Sequence, residues 1–165
     1  MSEINKARLT NVYGAICINE KGEVLMVRGR RGGKWSFPKG HVDNMNETDL
    51  ECAKRELFEE AGLHVSDNYV SFHKLHAASY FVFAVEGNPE TSIQDTKEID
   101  KVEWVSLMNL PTENCNVDVS IFRTLMKNIR QEQTCMSYVK SDYAHRRITY
   151  IRKGIERSKM AAAAS

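Results

Sequence analysis

No apolar run in this chain approaches the roughly 18 residues needed to cross a bilayer as a helix, which excludes a helical membrane span. The first residues, MSEINKARLTN, lack the apolar stretch of a secretory leader. The four cysteines (Cys17, Cys52, Cys115 and Cys135) form no C-x-x-C pair, so a paired-thiol metal or redox motif has no footing. There is no internal repeat, and the formal net charge is only +1. What remains is 165 residues at 42% hydrophobic content, enough for one domain with a real core. Cys17 and Cys52 sit within apolar patterns, as reduced core thiols do, and an intracellular, cytoplasmic location without a membrane partner is expected.

The coarse order is β-rich, then helix, then β, then helix. Val12 to Ile18 reads as a strand, residues 19–22 as a turn and Val24 to Val27 as the hairpin partner. Residues 28–34 form a basic, glycine-containing loop before a short strand from Trp35 to Phe37. Further strands are expected at Tyr69 to Leu75, Tyr80 to Val85 and Val102 to Val105, and a helix at Val119 to Ile129. The expected boundaries are a main domain over 1–134 and a basic, helical segment over 135–160. Residues 161–165 are a low-complexity tail that suggests an expression remnant.

The most informative stretch is GHVDNMNETDLECAKRELFEEAGL, residues 40–63. Leu50, Ala53, Leu57 and Ala61 recur at helical steps and form an apolar stripe. Glu56, Glu59 and Glu60 fall three and four residues apart and share another face. Three carboxylates so placed repel one another unless a cation sits among them, and magnesium prefers hard oxygen ligands. A solvated acidic face paired with Lys54 and Arg55 is the plain alternative. Asn46 or Thr48 is placed to cap the helix start, and Gly62 to end it in the left-handed conformation.

This stretch resembles the Nudix box, G-x5-E-x7-R-E-U-x-E-E-x-G-U, where U is a bulky aliphatic. Counting back from Arg55 reaches Glu47 in register, but Gly40 lies one residue too far away. The extra residue falls in the loop, where a bulge is expected. The resemblance implies an α/β fold, the α/β/α sandwich around a mixed sheet. It also implies hydrolysis of a diphosphate linkage, with Mg2+ or Mn2+ held by Glu56, Glu59, Glu60 and the Gly40 carbonyl. Glu47, Arg55 and Gly62 take structural places in the motif, Arg55 pairing with a carboxylate such as Glu47 or Glu59.

Outside the box, Trp35-Ser36-Phe37-Pro38-Lys39-Gly40 and Lys97-Glu98-Ile99 followed by Glu103-Trp104 look like the mRNA-decapping branch of that family. This implies capped RNA as substrate and a general base at Glu98 or Glu59. Arg28, Lys34 and Lys39 are candidate phosphate contacts, within a loop that also holds Arg30 and Arg31. Phe37-Pro38-Lys39-Gly40-His41 is also similar to hydrolases of diadenosine tetraphosphate, and diphosphoinositol polyphosphate hydrolases share part of it. A catalytically silent RNA-binding module is the reading from another class. Glu103 is expected at the surface, and most of Trp35, Phe37, Tyr80, Phe81 and Phe83 in the core. Seven basic residues from Lys140 to Lys159 face only Asp142 and Glu156, and Arg146, Arg147, Arg152 and Lys153 are candidate RNA contacts.

Overall fold

The computed structural model describes residues 11–134, with side chains through Lys127. The elements are β1 (Val12–Asn19), β2 (Glu23–Gly29), β3 (Trp35–Ser36), β4 (Lys39–His41), α1 (Asp49–Ala61), β5 (Ser71–Lys74), β6 (Ser79–Val85), β7 (Ile99–Ser106) and α2 (Val117–Thr134), with a 3-10 turn at Leu107–Asn109. The basic segment 135–160, with Arg146, Arg147, Arg152 and Lys153, and the tail 161–165 lie outside the described residues.

One seven-stranded sheet runs β3-β2-β1-β6-β5, with β4 joining β1 and β7 joining β2. β1 and β6 are parallel, while the other pairs are antiparallel, so the sheet is mixed. Strand side chains alternate between faces, and the sequence uses both. Ala15, Cys17, Leu25, Val27, Phe81 and Phe83 pack with Ala53, Leu57 and Ala61 of α1. Ile16, Ile18, Val24, Met26, Tyr80 and Val82 pack with Val119 and Phe122 of α2. A sheet apolar on both faces needs cover on both, and the two helices supply it. The expected α/β/α sandwich is the observed one.

β1 and β2 meet only at Ile18↔Val24 and then part. β4 takes the edge that β1 leaves free, at Val12 to Gly14, and β3 takes that of β2, at Val27 and Arg28. Pro38 sits at the fork, its carbonyl accepting the Ala15 amide at 3.0 Å. Lys39 and Gly40 are thereby carried to the end of α1. The sequence pattern predicts no strand at Lys39–His41. Its extended form comes from the open edge of β1, not from any periodicity of its own.

The strand and helix expectations hold elsewhere with shifted ends. β2 runs two residues into the expected basic loop, and β7 begins three residues before Val102. Cys17 and Cys52 are buried, free thiols, each pushed up to about 12, chiefly by burial.

Candidate active site

Helix α1 starts on Thr48, whose hydroxyl accepts the Glu51 amide at 3.2 Å. The Glu51 carboxylate returns the bond to the Thr48 amide at 3.0 Å, completing a capping box. Of the two candidate caps, Thr48 is the one used. The loop that holds the extra residue of the box turns at residues 44–46. Asn44 accepts the Asn46 and Glu47 amides there, and Met45 points outward at 87% exposure. Glu47 is kept in place and reaches Arg55.

Arg55 organises the acidic end of the helix. Its Nε donates to Glu47 at 2.6 Å, and its Nη1 donates to Glu56 at 2.9 Å and Glu59 at 3.1 Å. Nη2 reaches the His41 carbonyl at 2.8 Å, and Asp43 lies 3.3 Å from Nε. Hydrogen bonding to Arg55 holds the Glu47 carboxyl below its usual value. Arg55 thus pairs with both Glu47 and Glu59.

Glu56 and Glu60 are buried, whereas Glu59 is partly exposed. Burial pushes Glu56 up to about 6, against the opposing pull of Arg55. Burial and the Glu56 charge push Glu60 up to about 8. Glu60 accepts one amide, from Lys39 at 3.2 Å. A Cβ on Gly40 would lie 2.2 Å from the Glu56 carboxyl carbon, so the Gly40 backbone closes directly on this acid pair. Two buried carboxylates with so little donor cover favour a cation at neutral pH. The carboxylate donors are all oxygen and suit a hard divalent ion, whereas the Gly40 carbonyl, also expected to join them, accepts the Cys52 thiol at 3.5 Å. Among the described residues no three acid, histidine or cysteine side chains converge at ligand distance. In this arrangement Arg55 Nη1 bridges Glu56 and Glu59, while Glu60 takes the Lys39 amide.

Glu98 is exposed, and its charge adds a little to the upward push on both Glu56 and Glu60. Its loop is anchored to α1. The Glu59 carbonyl accepts the amides of Gln94 at 3.0 Å and Asp95 at 2.8 Å, and the Ala61 carbonyl accepts that of Ser92 at 2.9 Å. These are carbonyls a helix end would otherwise leave unpaired. Asp95 Oδ1 then accepts the Lys97 and Glu98 amides. Gly62 adopts φ 69 as the helix cap, and a Cβ there would meet Ser92 at 2.3 Å.

The candidate phosphate contacts divide. Lys39 stands beside Glu60, its charge drawing that carboxyl downward. Lys34 is exposed on the turn after β2, closed by the Gly29 amide on its carbonyl at 2.9 Å. Arg28 is engaged by Asp100 through two bonds of 2.8 and 3.2 Å. Glu103 is half-exposed and paired with Lys101 at 2.6 Å.

Reading the sequence missed Asp100 as the Arg28 partner, and Asp118. Asp118 is fully buried on α2 and accepts the amides of His76, Ala77 and Ala78 and the Tyr80 hydroxyl. It ties the β5–β6 turn to α2. The local signal was Asn116, two residues earlier, whose side chain accepts the Asp118 amide at 2.9 Å as in an Asx turn.

Residues 8–125 match the NUDIX domain family. Over 101 residues the chain is 34% identical to the m7GpppN-mRNA hydrolase of Saccharomyces cerevisiae, covering 56% of this chain and 10% of that protein. Over 112 residues it is 35% identical to mRNA-decapping enzyme subunit 2 of Arabidopsis thaliana, covering 62% and 30%. The RNA pyrophosphohydrolase of Yersinia pestis is 43% identical over 54 residues, 33% of this chain and 30% of that one. The chain thus spans 30% or less of the length of these relatives. Among solved structures, a Caenorhabditis elegans Ap4A hydrolase aligns with a TM-score of 0.56 at 18% identity, over 73% of this chain and 98% of that one. With the family match extending over most of its length and the box residues gathered around one buried acid pair, the chain belongs to the Nudix hydrolase family.

Proposed function

We propose that this domain is a divalent-cation-dependent pyrophosphohydrolase acting on a phosphoanhydride at the 5′ end of RNA, with the cap as its preferred target. The observation that carries the chemistry is the buried pair Glu56 and Glu60 on α1, with the Gly40 backbone closed on Glu56 and the Lys39 amide on Glu60. The substrate assignment draws on the decapping and RNA pyrophosphohydrolase relatives and on the Trp35–Gly40 and Lys97–Ile99 stretches.

Glu56, Glu59, Glu60 and the Gly40 carbonyl would hold magnesium or manganese. A metal bound there would supply charge neutralisation of the phosphates and a lowered pKa for the attacking water. Arg55 fixes Glu56 and Glu59 from behind, so that positioning is complete before substrate arrives. The ammonium group of Lys39 opposes phosphate charge that would repel an anionic nucleophile. Glu98 takes the proton of the water as general base, with Glu59, the exposed member of the box carboxylates, as the alternative. For a cap the products are a nucleoside diphosphate and a 5′-monophosphate RNA.

His41, following Gly40, favours a second reading, hydrolysis of dinucleoside polyphosphates. Incubation with magnesium and cap-labelled RNA, free cap analogue, diadenosine tetraphosphate and diphosphoinositol phosphate, with product identification, separates the two. Release of a nucleoside diphosphate from capped RNA supports the first. Turnover of diadenosine tetraphosphate alone supports the second.

A further inference from the structure

Of the five aromatics flagged in the sequence, Phe37, Tyr80, Phe81 and Phe83 are buried, at 7% exposure or less. Trp35 is only partly buried. It pairs directly with Arg28 on β2, and Arg28 pairs directly with Lys101 on β7. Directly paired residues project to the same side of a sheet, so Trp35, Arg28 and Lys101 form one row across three strands. The Arg28 guanidinium carbon lies 5.8 Å from the Trp35 ring centroid and Lys101 Nζ lies 5.9 Å away. Among the described residues no other ring has a cation over it.

The row is rigid. Asp100 holds Arg28, and Glu103 holds Lys101. The Trp35 backbone donates to Asn114 at 2.7 Å and accepts from Asn116 at 2.8 Å. Asp100 and Glu103 offset the charges of Arg28 and Lys101. The adjoining turn then supplies the uncompensated positive charge, from Arg31 and Lys34, both exposed. Nothing lies within 4 Å of where a Cβ would sit on Gly32 or Gly33, so the tip of this turn is open. The same turn touches the candidate base segment, because the Arg30 amide donates to the Glu98 carbonyl at 2.7 Å and Arg30 Nε donates to the Thr96 carbonyl.

We propose that Trp35, with the turn carrying Arg31 and Lys34, forms a contact for single-stranded RNA beyond the reacting phosphates. A base stacks on the exposed side of the indole, and the adjacent phosphates lie along the turn. Aromatic platforms beside cations bind single strands in this way, because every base has a π-face and the backbone is anionic. The proposal rests on the RNA reading of the site and extends it downstream. Trp35 and Lys39 lie on separate strands, β3 and β4, on either side of the bend at Pro38, so a small dinucleotide held at Lys39 need not touch the platform.

The test uses the full chain and a 5′-hydroxyl oligoribonucleotide of about eight nucleotides, which carries no phosphoanhydride. Titration should quench tryptophan fluorescence. Trp35→Leu should abolish that quench and weaken binding about tenfold or more. Trp35→Phe should fall between, and hydrolysis of a free cap analogue should stay at the wild-type rate. Arg31→Gln, at an exposed position, should lower the slope of log affinity against log salt by about 0.7. Unchanged oligonucleotide affinity in Trp35→Leu with an unchanged salt slope in Arg31→Gln overturns the proposal. So does equal loss on oligonucleotide and cap analogue in a variant that melts like wild type. A chain that binds the oligonucleotide through Trp35 but hydrolyses no RNA 5′ phosphoanhydride keeps this surface and removes the reading of the acid pair. Trp35-independent binding with intact hydrolysis does the reverse.

Discussion

Gly40→Ala tests whether the acid pair is catalytic, because its expected cost to the fold is small. The new Cβ would lie 2.2 Å from the Glu56 carboxyl carbon and its Oε1, where ordinary contact begins near 3.4 Å. The carboxylate must recede by about 1 Å, and a misplacement of that size at a reacting centre costs about 100-fold in rate. The obstacle is the end of a flexible side chain, and Gly40 is not in the left-handed region. The fold therefore loses only a strained rotamer and the 2.9 Å Arg55 bond, about 1–2 kcal/mol. That corresponds to about 2–8 °C in Tm for a chain of this size. Gly62→Ala is the contrast. There the obstacles include backbone atoms of Ser92, and φ is 69, so stability falls further. Turnover with magnesium on capped RNA and a thermal melt decide the matter. Wild-type turnover in Gly40→Ala refutes the placement of Glu56, and a Tm loss as large as that of Gly62→Ala refutes the separation of site from fold.

Glu60→Gln should keep the fold and cut turnover by orders of magnitude, since a neutral amide is a poor ligand for a hard cation; near-normal rates at saturating magnesium would remove Glu60 from the metal set. Glu98→Gln should lower kcat more than it raises KM and flatten the acidic limb of the pH–rate profile; a change confined to KM assigns Glu98 to binding. Glu47 titrates below its ordinary value of 4.5 because Arg55 is bonded to it. Its contribution to stability is therefore fully present above about pH 4.5 and is lost as pH falls through the depressed folded value. Wild type and Glu47→Gln should differ in urea midpoint at pH 7 and converge in acid. Charge reversal at Arg146, Arg147, Arg152 and Lys153, in the basic segment outside the described residues, should weaken activity on long capped RNA and spare diadenosine tetraphosphate. Equal loss on both removes the RNA-tracking role.

The elements legible in the sequence are those whose pattern is local. Leu50, Ala53, Leu57 and Ala61 mark one helix face, and short unbroken apolar runs in β1, β2 and β6 mark strands buried on both sides. The acid face was legible for the same reason, since Glu56, Glu59 and Glu60 belong to one helix. What depended on distant chain was not. β4 exists because β1 departs from β2. Asp118 gains its meaning from amides some forty residues earlier. Arg28 reads as a loop cation until Asp100, on a strand far along the chain, engages it. Trp35 and Phe37 are two residues apart, and only their neighbours across the sheet determine that one is sealed and the other partly open.

Helix α1 ends by giving its Glu59 and Ala61 carbonyls to the segment that carries Glu98. A swinging lid at 92–98 would have to undo three backbone bonds at the foot of the box helix and lift Ser92 from the face of Gly62. The proposed base and the box carboxylates are thus tied to one frame, and the turn after β2 is tied in as well, since the Arg30 amide donates to the Glu98 carbonyl at 2.7 Å and its Nε to the Thr96 carbonyl at 2.7 Å.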